Sequence, residues 1–155
     1  MSLKYPLQYY DESGRMKPPI FMYLILLFVC RGLIMLIISL SFREDSERLL
    51  RLFYPQPYHF YLSLIPILPA IMGLFLVSYR NSLWGKSRHR WFTFLPLCML
   101  FSLLIDLGVQ LYILRSIDFG FSTNYGLSLF IVFCGLLYLF QSKYIKDLIN
   151  DWKSP

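Results

Sequence analysis

The chain has 155 residues, of which 57% are hydrophobic, 19% are aromatic and only 15% are charged. A soluble domain carries about 25% charged residues, so this composition excludes a water-soluble globular protein of this size and predicts a membrane protein. The formal net charge of +6 is compatible with nucleic-acid binding, but the basic residues flank apolar runs, where they set membrane orientation. We therefore expect no nucleic-acid partner.

The first apolar run, from Ile20 to Phe42, has a single charged residue, Arg31, at its centre. About 20 residues cross the roughly 30 Å hydrocarbon layer as a helix, so the run predicts the first transmembrane helix. A cleaved signal peptide is the alternative, but its apolar region is shorter than this run. A guanidinium at mid-bilayer costs about 2.5–3.5 kcal/mol on insertion scales, so we expect another part of the chain to satisfy Arg31.

The segment from Arg43 to Pro55 separates the first and second apolar runs. Ser41 and Glu44 have the spacing of a helix capping box, and the apolar residues that follow fall on one helical face. This pattern predicts a short interfacial helix leading into Phe53-Tyr54-Pro55, which we assign to the membrane interface together with the aromatic residues that follow. The alternative is that this aromatic segment forms a lip that binds a partner.

The second span, about Tyr58 to Tyr79, contains Pro66 and Pro69, which each lack a backbone donor and should bend the helix. At 100° per residue, a stripe of mostly small residues runs along this helix, and such a stripe allows another helix to approach closely. We therefore predict a helix-packing face, with a pore lining as the alternative. The stripe consists of Ser63, Pro66, Ala70, Gly73 and Val77.

The third span, about Trp91 to Leu114, carries Ser102, Asp106 and Gln110 at intervals of four residues. This spacing places them in one polar stripe of an otherwise apolar helix, and the stripe must face the interior. Asp106 is the only acidic residue in the later apolar segments, so we predict a direct ion pair with Arg31. Both a static structural pair and a conducting or switching pair remain open, with Gln110 and Ser102 as further hydrogen-bonding groups.

The fourth span, about Tyr125 to Gln141, completes an all-α polytopic fold, a four-helix bundle in a single membrane domain over residues 1–155. Lys and Arg residues are concentrated in the N-terminal segment, in the loop from Arg80 to Arg90 and in the C-terminal segment. Because cytoplasmic loops carry an excess of basic residues, we expect both termini and this loop on the cytoplasmic side.

The sequence shows no phosphate-binding glycine loop, no nucleophile elbow and no paired carboxylates within a span. We therefore expect no enzymatic activity and no cofactor. Cys30, Cys98 and Cys134 lie inside apolar runs without CxxC spacing, so we interpret them as small core residues. His59 and His89 are single residues without ligand spacing around them, so we expect no metal site.

Several segments in the first half of the chain form a recognisable set: Tyr10-Asp11 with Gly14 and Lys17-Pro18, Arg31, Leu49-Leu50, Leu52-Phe53-Tyr54-Pro55, and Leu64-Ile65-Pro66-Ile67-Leu68-Pro69-Ala70. Together they resemble the YfeZ-type family of small four-span bacterial inner-membrane proteins, which is classed as a domain of unknown function. The second half matches that family only in its pattern of spans. The resemblance implies a location in the bacterial inner membrane and leaves the activity open.

The leading hypothesis is a non-enzymatic inner-membrane protein that acts through partners, which are the lipid bilayer, copies of itself or other membrane proteins. The alternative is an oligomeric transporter or channel in which Arg31, Asp106 and Gln110 line a polar path. A lipid-modifying enzyme is the third and weakest hypothesis. Water beside Arg31 in an oligomer would favour the transporter, whereas a dry and fully packed pair would favour the interaction protein.

Overall fold

The computed structural model describes residues 5–12, 14–42, 54, 56–85, 89–116 and 123–153. Nearly all of this part of the chain is helical, and it contains no strand beyond an isolated antiparallel bridge between Tyr10 and Met16. The predicted interfacial helix, with Phe53 and Pro55, lies outside the described residues.

The first apolar run folds as two helices, α1 (Ile20–Val29) and α2 (Arg31–Ser41), which meet at Cys30 with a bend of 57°. The prediction of one unbroken helix over this run is therefore wrong. No proline occurs at the bend, but Nη1 of Arg31 donates a hydrogen bond of 3.3 Å to the carbonyl of Phe28. A side chain that enters the backbone hydrogen-bond ladder is a known cause of sharp kinks, so the arginine itself accounts for the break.

The second apolar run folds as α3 (Pro57–Ser63) and α4 (Ile67–Ser78), which are joined by a short turn. The backbone bonds across this turn link residues three apart, at 3.2–3.4 Å, instead of four apart. Pro66 and Pro69 lack the N–H groups that a continuous helix would use here, so the interruption falls where the prolines predicted a bend. The short helix α5 (Arg80–Gly85) follows.

The third and fourth runs give the two longest helices. A 3₁₀ turn, His89–Thr93, leads into α6 (Phe94–Ser116), and α7 (Thr123–Gln141) is followed by α8 (Lys143–Lys153). The axes of α7 and α8 differ by 61°.

Within the described ranges, two helical segments are long and apolar enough to cross a membrane, namely Pro57–Ser78 and Trp91–Ser116. The number rises to four if each bent pair, α1 with α2 and α7 with α8, counts as one span. The chain is thus an all-α membrane protein with two to four candidate spans.

Helix α6 is the centre of the bundle, because it packs on α4 and on α7, while α1 packs on α4. All five residues of the small-residue stripe, Ser63, Pro66, Ala70, Gly73 and Val77, are buried. A Cβ built on Gly73 would lie 3.4 Å from Cδ2 of Leu26 and 4.0 Å from Cβ of Cys98, so the stripe lies between α1 and α6.

The cysteines have different environments. Cys30 is buried and Cys98 is half-buried, but Cys134 is exposed on α7. The interpretation of all three as core residues is therefore wrong for Cys134, because the apolar run that contains it has an outward face as well as an inward one.

The two ends of the described chain pack together in what we call the terminal cap, formed by residues 5–12 and 14–17 and by α8. Trp152 is fully buried, and its Nε1 donates a hydrogen bond of 2.9 Å to the carbonyl of Met16. The backbone N–H of Met16 in turn donates to Oδ2 of Asp151 at 2.9 Å. The ring of Phe92, at the entry to α6, meets Trp152 edge-on with centroids 5.3 Å apart. The cap therefore closes the end of the bundle at which α6 begins.

A second contact ties the cap to the start of α5. Nη2 of Arg80 lies 2.7 Å from Oδ2 of Asp11. Asp11 belongs to a turn in which the N–H of Gly14 donates to the Asp11 carbonyl at 2.8 Å and Gly14 has a φ of 75°. A positive φ is unfavourable for residues with a Cβ, which explains the glycine. The pKa of the Asp11 carboxyl lies below its ordinary value, first because the N–H of Glu12 donates to it and then because Arg80 pairs with it.

Candidate functional site

An ion pair inside the bundle joins the broken first run to α6. Nη1 of Arg31 lies 3.0 Å from Oδ2 of Asp106, and Nη2 lies 2.8 Å from Oδ1. The two parallel bonds form the bidentate fork that is the strongest arrangement of an arginine and a carboxylate. Only 1% of the Asp106 side chain is exposed, whereas 26% of the Arg31 side chain is exposed. The carboxylate is therefore enclosed, and the guanidinium has an open side.

Gln110 lies one helical turn beyond Asp106 and completes the pair. Its Nε2 donates to Oδ2 of Asp106 at 2.8 Å, so this carboxylate accepts three hydrogen bonds in total. The opposite placement of the amide would put two acceptor oxygens against each other, so the hydrogen-bond network assigns the amide nitrogen to Asp106. The other amide atom, Oε1, is buried and has no hydrogen-bond partner in the described part of the chain.

Ser102 shares the polar stripe of α6 but has a different partner. Its hydroxyl donates to the carbonyl of Pro66 at 3.0 Å. The structure therefore brings Arg31, Asp106 and Gln110 together, while Ser102 links α6 to the turn between α3 and α4.

Gly32 is a site residue that sequence reasoning missed. A Cβ at this position would lie 2.9 Å from Oγ of Ser63 and 3.2 Å from its carbonyl oxygen, which is closer than side chains tolerate. The backbone of α2 thus reaches the end of α3 immediately after Arg31, and glycine permits that approach. Two features of the sequence indicate this contact: a glycine directly follows the charged residue of the span, and the small-residue stripe contains Ser63.

A cavity of about 310 Å³ opens beside the exposed side of Arg31, and we call it the Arg31 cavity. The guanidinium lies 4.5 Å above the ring of Phe28, which forms part of the wall. Most of the other lining groups are apolar, and the hydroxyl oxygen of Tyr125 is buried without a hydrogen-bond partner in the described part of the chain. The cavity is lined by Phe28, Arg31, Ile34, Met35, Tyr54, Ser63, Val109, Gln110, Ile113, Tyr125, Leu127, Ser128 and Ile131.

Tyr54 was assigned to the membrane interface, and the structure places it in the wall of this cavity. Its side chain is 9% exposed, and its ring meets that of Phe60 edge-on at 5.5 Å. The exposed aromatic residues of this region are Tyr58 and Tyr61. Tyr54 therefore does not form an exposed partner-binding lip.

His59 forms a separate buried polar contact between α3 and α6. Its Nε2 lies 3.1 Å from Oγ of Ser116, whose hydroxyl already donates to the carbonyl of Ile113 at 2.7 Å. The serine oxygen must then accept from Nε2–H, which leaves Nδ1 as an acceptor, and this atom has no partner among the described residues. Among those residues, no group of three His, Cys, Asp or Glu side chains could hold a metal ion.

The chemical character of the site follows from its charge balance. The charges of Arg31 and Asp106 cancel, so the hydrogen-bonding groups beside the cavity carry no net charge. The guanidinium has five N–H groups, of which two donate to Asp106 and one to the Phe28 carbonyl. The site therefore offers further N–H donors from Arg31 beside the unpaired acceptor of Gln110.

The comparisons with known proteins agree with this picture of a membrane protein. The family described as "Protein of unknown function (DUF2919)" matches residues 5–151. The inner membrane protein YfeZ of Escherichia coli (strain K12) is 37% identical over 79 residues, which are 51% of this chain and 52% of that protein. The match thus spans about half the length of the curated relative. No solved structure matches the chain.

Proposed function

Because the chain belongs to the DUF2919 family and shares half its length with an inner membrane protein, we propose that it is a four-span inner-membrane protein with both termini in the cytoplasm. The family resemblance drawn from the sequence is confirmed by these matches. The terminal cap supports the orientation, because both chain ends and Arg80 meet at one end of the bundle. The basic residues of the sequence are concentrated in these same segments, as expected for a cytoplasmic face.

Reporter fusions that depend on the compartment test this orientation. Fusions after Pro155 and within the loop from Arg80 to Arg90 should be active only as cytoplasmic reporters. A fusion within residues 117–122 should be active only as a periplasmic reporter. A periplasmic reporter that works after Pro155 would contradict the four-span arrangement.

The proposed role is that of a non-enzymatic accessory protein, which acts by assembling with copies of itself or with another membrane protein. The observation that carries this proposal is the pairing of the two interior charges, Arg31 and Asp106, with each other. Asp106 accepts three hydrogen bonds from Arg31 and Gln110, so its charge is paired and it forms a cross-link between α2 and α6. The outward faces of the helices carry large apolar side chains suited to lipid or to another helix, among them Leu24, Phe75, Leu127, Phe130 and Phe133.

Cysteine cross-linking in native membranes tests the assembly. Cys134 lies exposed on α7, so single cysteines placed along this face and along the outward face of α4 should give cross-links at a helical period. Cysteines at buried positions of the same helices, such as Val132 and Leu76, are the controls. Equal yields at exposed and buried positions, or none at any position together with a monomeric mass in mild detergent, would contradict assembly.

A transporter or channel is the second candidate, and the Arg31 cavity favours it. The guanidinium is not fully packed but faces an open space of about 310 Å³. Proton and chloride fluxes into proteoliposomes should then depend on the protein and should disappear when Arg31 and Asp106 are both replaced by leucine. Fluxes equal to those of empty liposomes at all protein densities would leave the accessory role as the account of the site.

A further inference from the structure

The Arg31 cavity has the size and the mixed lining of a small-molecule site. Its volume of about 310 Å³ falls at the lower end of the range of about 300–1,000 Å³ that ligand pockets occupy. The walls are mainly apolar, and the polar groups occur together, because Arg31 and Gln110 hold the same carboxylate. Such a pocket suits a ligand with one polar end and an apolar body.

The hydrogen-bonding groups of the cavity define which hydrogen bonds the polar end of the ligand must make. Oε1 of Gln110 is an acceptor without a donor, and its side chain is held in this orientation by Asp106. Arg31 supplies only donors, and the hydroxyl of Tyr125, which also lines the cavity, has no partner in the part of the chain that is described. A ligand group that both donates and accepts would satisfy these residues at once, and a hydroxyl is the smallest such group.

The charges narrow the class further. Asp106 neutralises Arg31, so an anionic headgroup would gain no net attraction, and a carboxylate has no hydrogen to donate to Gln110. A cationic group is disfavoured too, because it would lie against the positively charged guanidinium of Arg31. We propose that the Arg31 cavity binds an uncharged membrane-soluble alcohol or phenol, whose hydroxyl lies between Arg31 and Gln110 and whose hydrocarbon part lies along the apolar wall.

The route into the cavity is lateral. Ile34 on α2 and Leu127 on α7 line the cavity and are also 39% and 61% exposed on the outer surface of the bundle. In a bilayer these exposed side chains contact hydrocarbon, so a ligand dissolved in the membrane can enter between the two helices. This step rests on the proposed four-span arrangement, in which α2 and α7 lie within the membrane.

Photolabelling of the full chain in phosphatidylcholine nanodiscs tests the proposal. The probe is a ten-carbon primary alcohol with a diazirine in its chain, and the matched control probe is its methyl ether, which accepts but cannot donate. The alcohol should label peptides of α2 and α7 that line the cavity. Unlabelled 1-decanol should compete about tenfold more effectively than decyl methyl ether, which is the factor expected for one hydrogen bond lost to an unpaired partner.

Two variants separate the cavity from the lipid-facing surface. Ser128→Leu fills the cavity wall on α7, and Gly126→Leu places the same side chain two residues away, where no atom lies within 4 Å of a Cβ. Ser128→Leu should abolish the labelling, and Gly126→Leu should retain it. Gln110→Met, which removes the acceptor, should reduce the preference for the alcohol over the ether to about twofold or less.

Three outcomes would overturn the proposal. They are equal competition by alcohol and ether, labelling of outward helix faces that both leucine variants leave unchanged, and stronger competition by decanoate at pH 8 than by decanol. Failure of the proposed function is seen separately, because a chain that binds the alcohol but does not assemble contradicts only the accessory role. A correctly oriented, assembled chain without selective labelling contradicts only the ligand site.

Discussion

Replacing Arg31 and Asp106 by leucine, singly and together, measures how strongly the two charges depend on each other. The Arg31→Leu variant leaves a carboxylate that is 1% exposed and retains one hydrogen bond, from Gln110. Breaking a buried pair in this way costs about 3–5 kcal/mol of unfolding free energy, and we expect the upper part of this range. The Asp106→Leu variant leaves Arg31 with the Phe28 carbonyl, the Phe28 ring and its open side, so we expect the lower part.

The double leucine variant should be more stable than either single variant, because no charge is left without its partner. The remaining cost is the amide nitrogen of Gln110, which loses its acceptor, and an unpaired buried polar group costs about 1–3 kcal/mol. We therefore expect the double variant to lose only about that much stability.

The unfolding free energy can be measured by titrating the protein in mild detergent with sodium dodecyl sulfate and following circular dichroism together with the fluorescence of the three tryptophans, of which Trp152 is buried. A double variant whose loss equals the sum of the two single losses would refute the reasoning, since independent sites behave additively. Gly108→Ala, on the same helix and with no atom within 4 Å of the added Cβ, is the control for unspecific effects on α6.

Three further predictions concern other contacts. Gly32→Ala should lower the unfolding free energy by about 1–3 kcal/mol in the same titration, because the added Cβ meets a hydroxyl at 2.9 Å, whereas Gly108→Ala should be neutral or stabilising. Gly73→Leu should separate the helices that meet at the stripe, whereas Gly73→Ala should not, since a Cβ there makes only ordinary contact at 3.4 Å. Leu74→Ile, which lies off the stripe, is the control. Equal losses of unfolding free energy in all three variants would contradict the packing face. Because the pKa of Asp11 is lowered in the folded protein, its contribution to the terminal cap is present above the ordinary aspartate value of about 3.9 and is lost as the pH falls through the lower folded value. Tryptophan fluorescence between pH 5 and pH 2 should show this loss in the wild type, and the change should be smaller in Asp11→Asn.

The ion pair could be predicted from the sequence because charged residues are rare inside apolar runs. Arg31 and Asp106 had few alternative partners, and the four-residue spacing added Gln110 to the same helical face. Spacing alone could not distinguish Gln110 from Ser102, because both lie one turn from Asp106. Ser102 instead donates to the carbonyl of Pro66. The position of that carbonyl depends on where α4 begins, and helix boundaries of this kind are set by packing.

The break between α1 and α2 and the terminal cap were not predicted. No proline in the sequence predicts the break. Its cause is a hydrogen bond from the Arg31 side chain to the backbone carbonyl three residues earlier. The cap helix has apolar residues at a clear helical spacing, Ile145, Leu148, Ile149 and Trp152, and all four are buried. The lysines of this segment indicate membrane orientation, and the apolar periodicity that predicts a packed helix is a separate signal in the same residues.

The break, the ion pair and the cavity are consequences of one residue. Arg31 requires partners inside an apolar run, and it obtains one by entering the backbone ladder at Phe28 and the others at Asp106. The resulting bend of 57° turns α2 away from the axis of α1, and Gly32 lets the turned helix rest directly on Ser63. The Arg31 cavity lies between α2, α6 and α7, on the side of the guanidinium that these partners do not cover. The arginine that interrupts the backbone ladder of the first run is therefore also the charged group that lines the cavity.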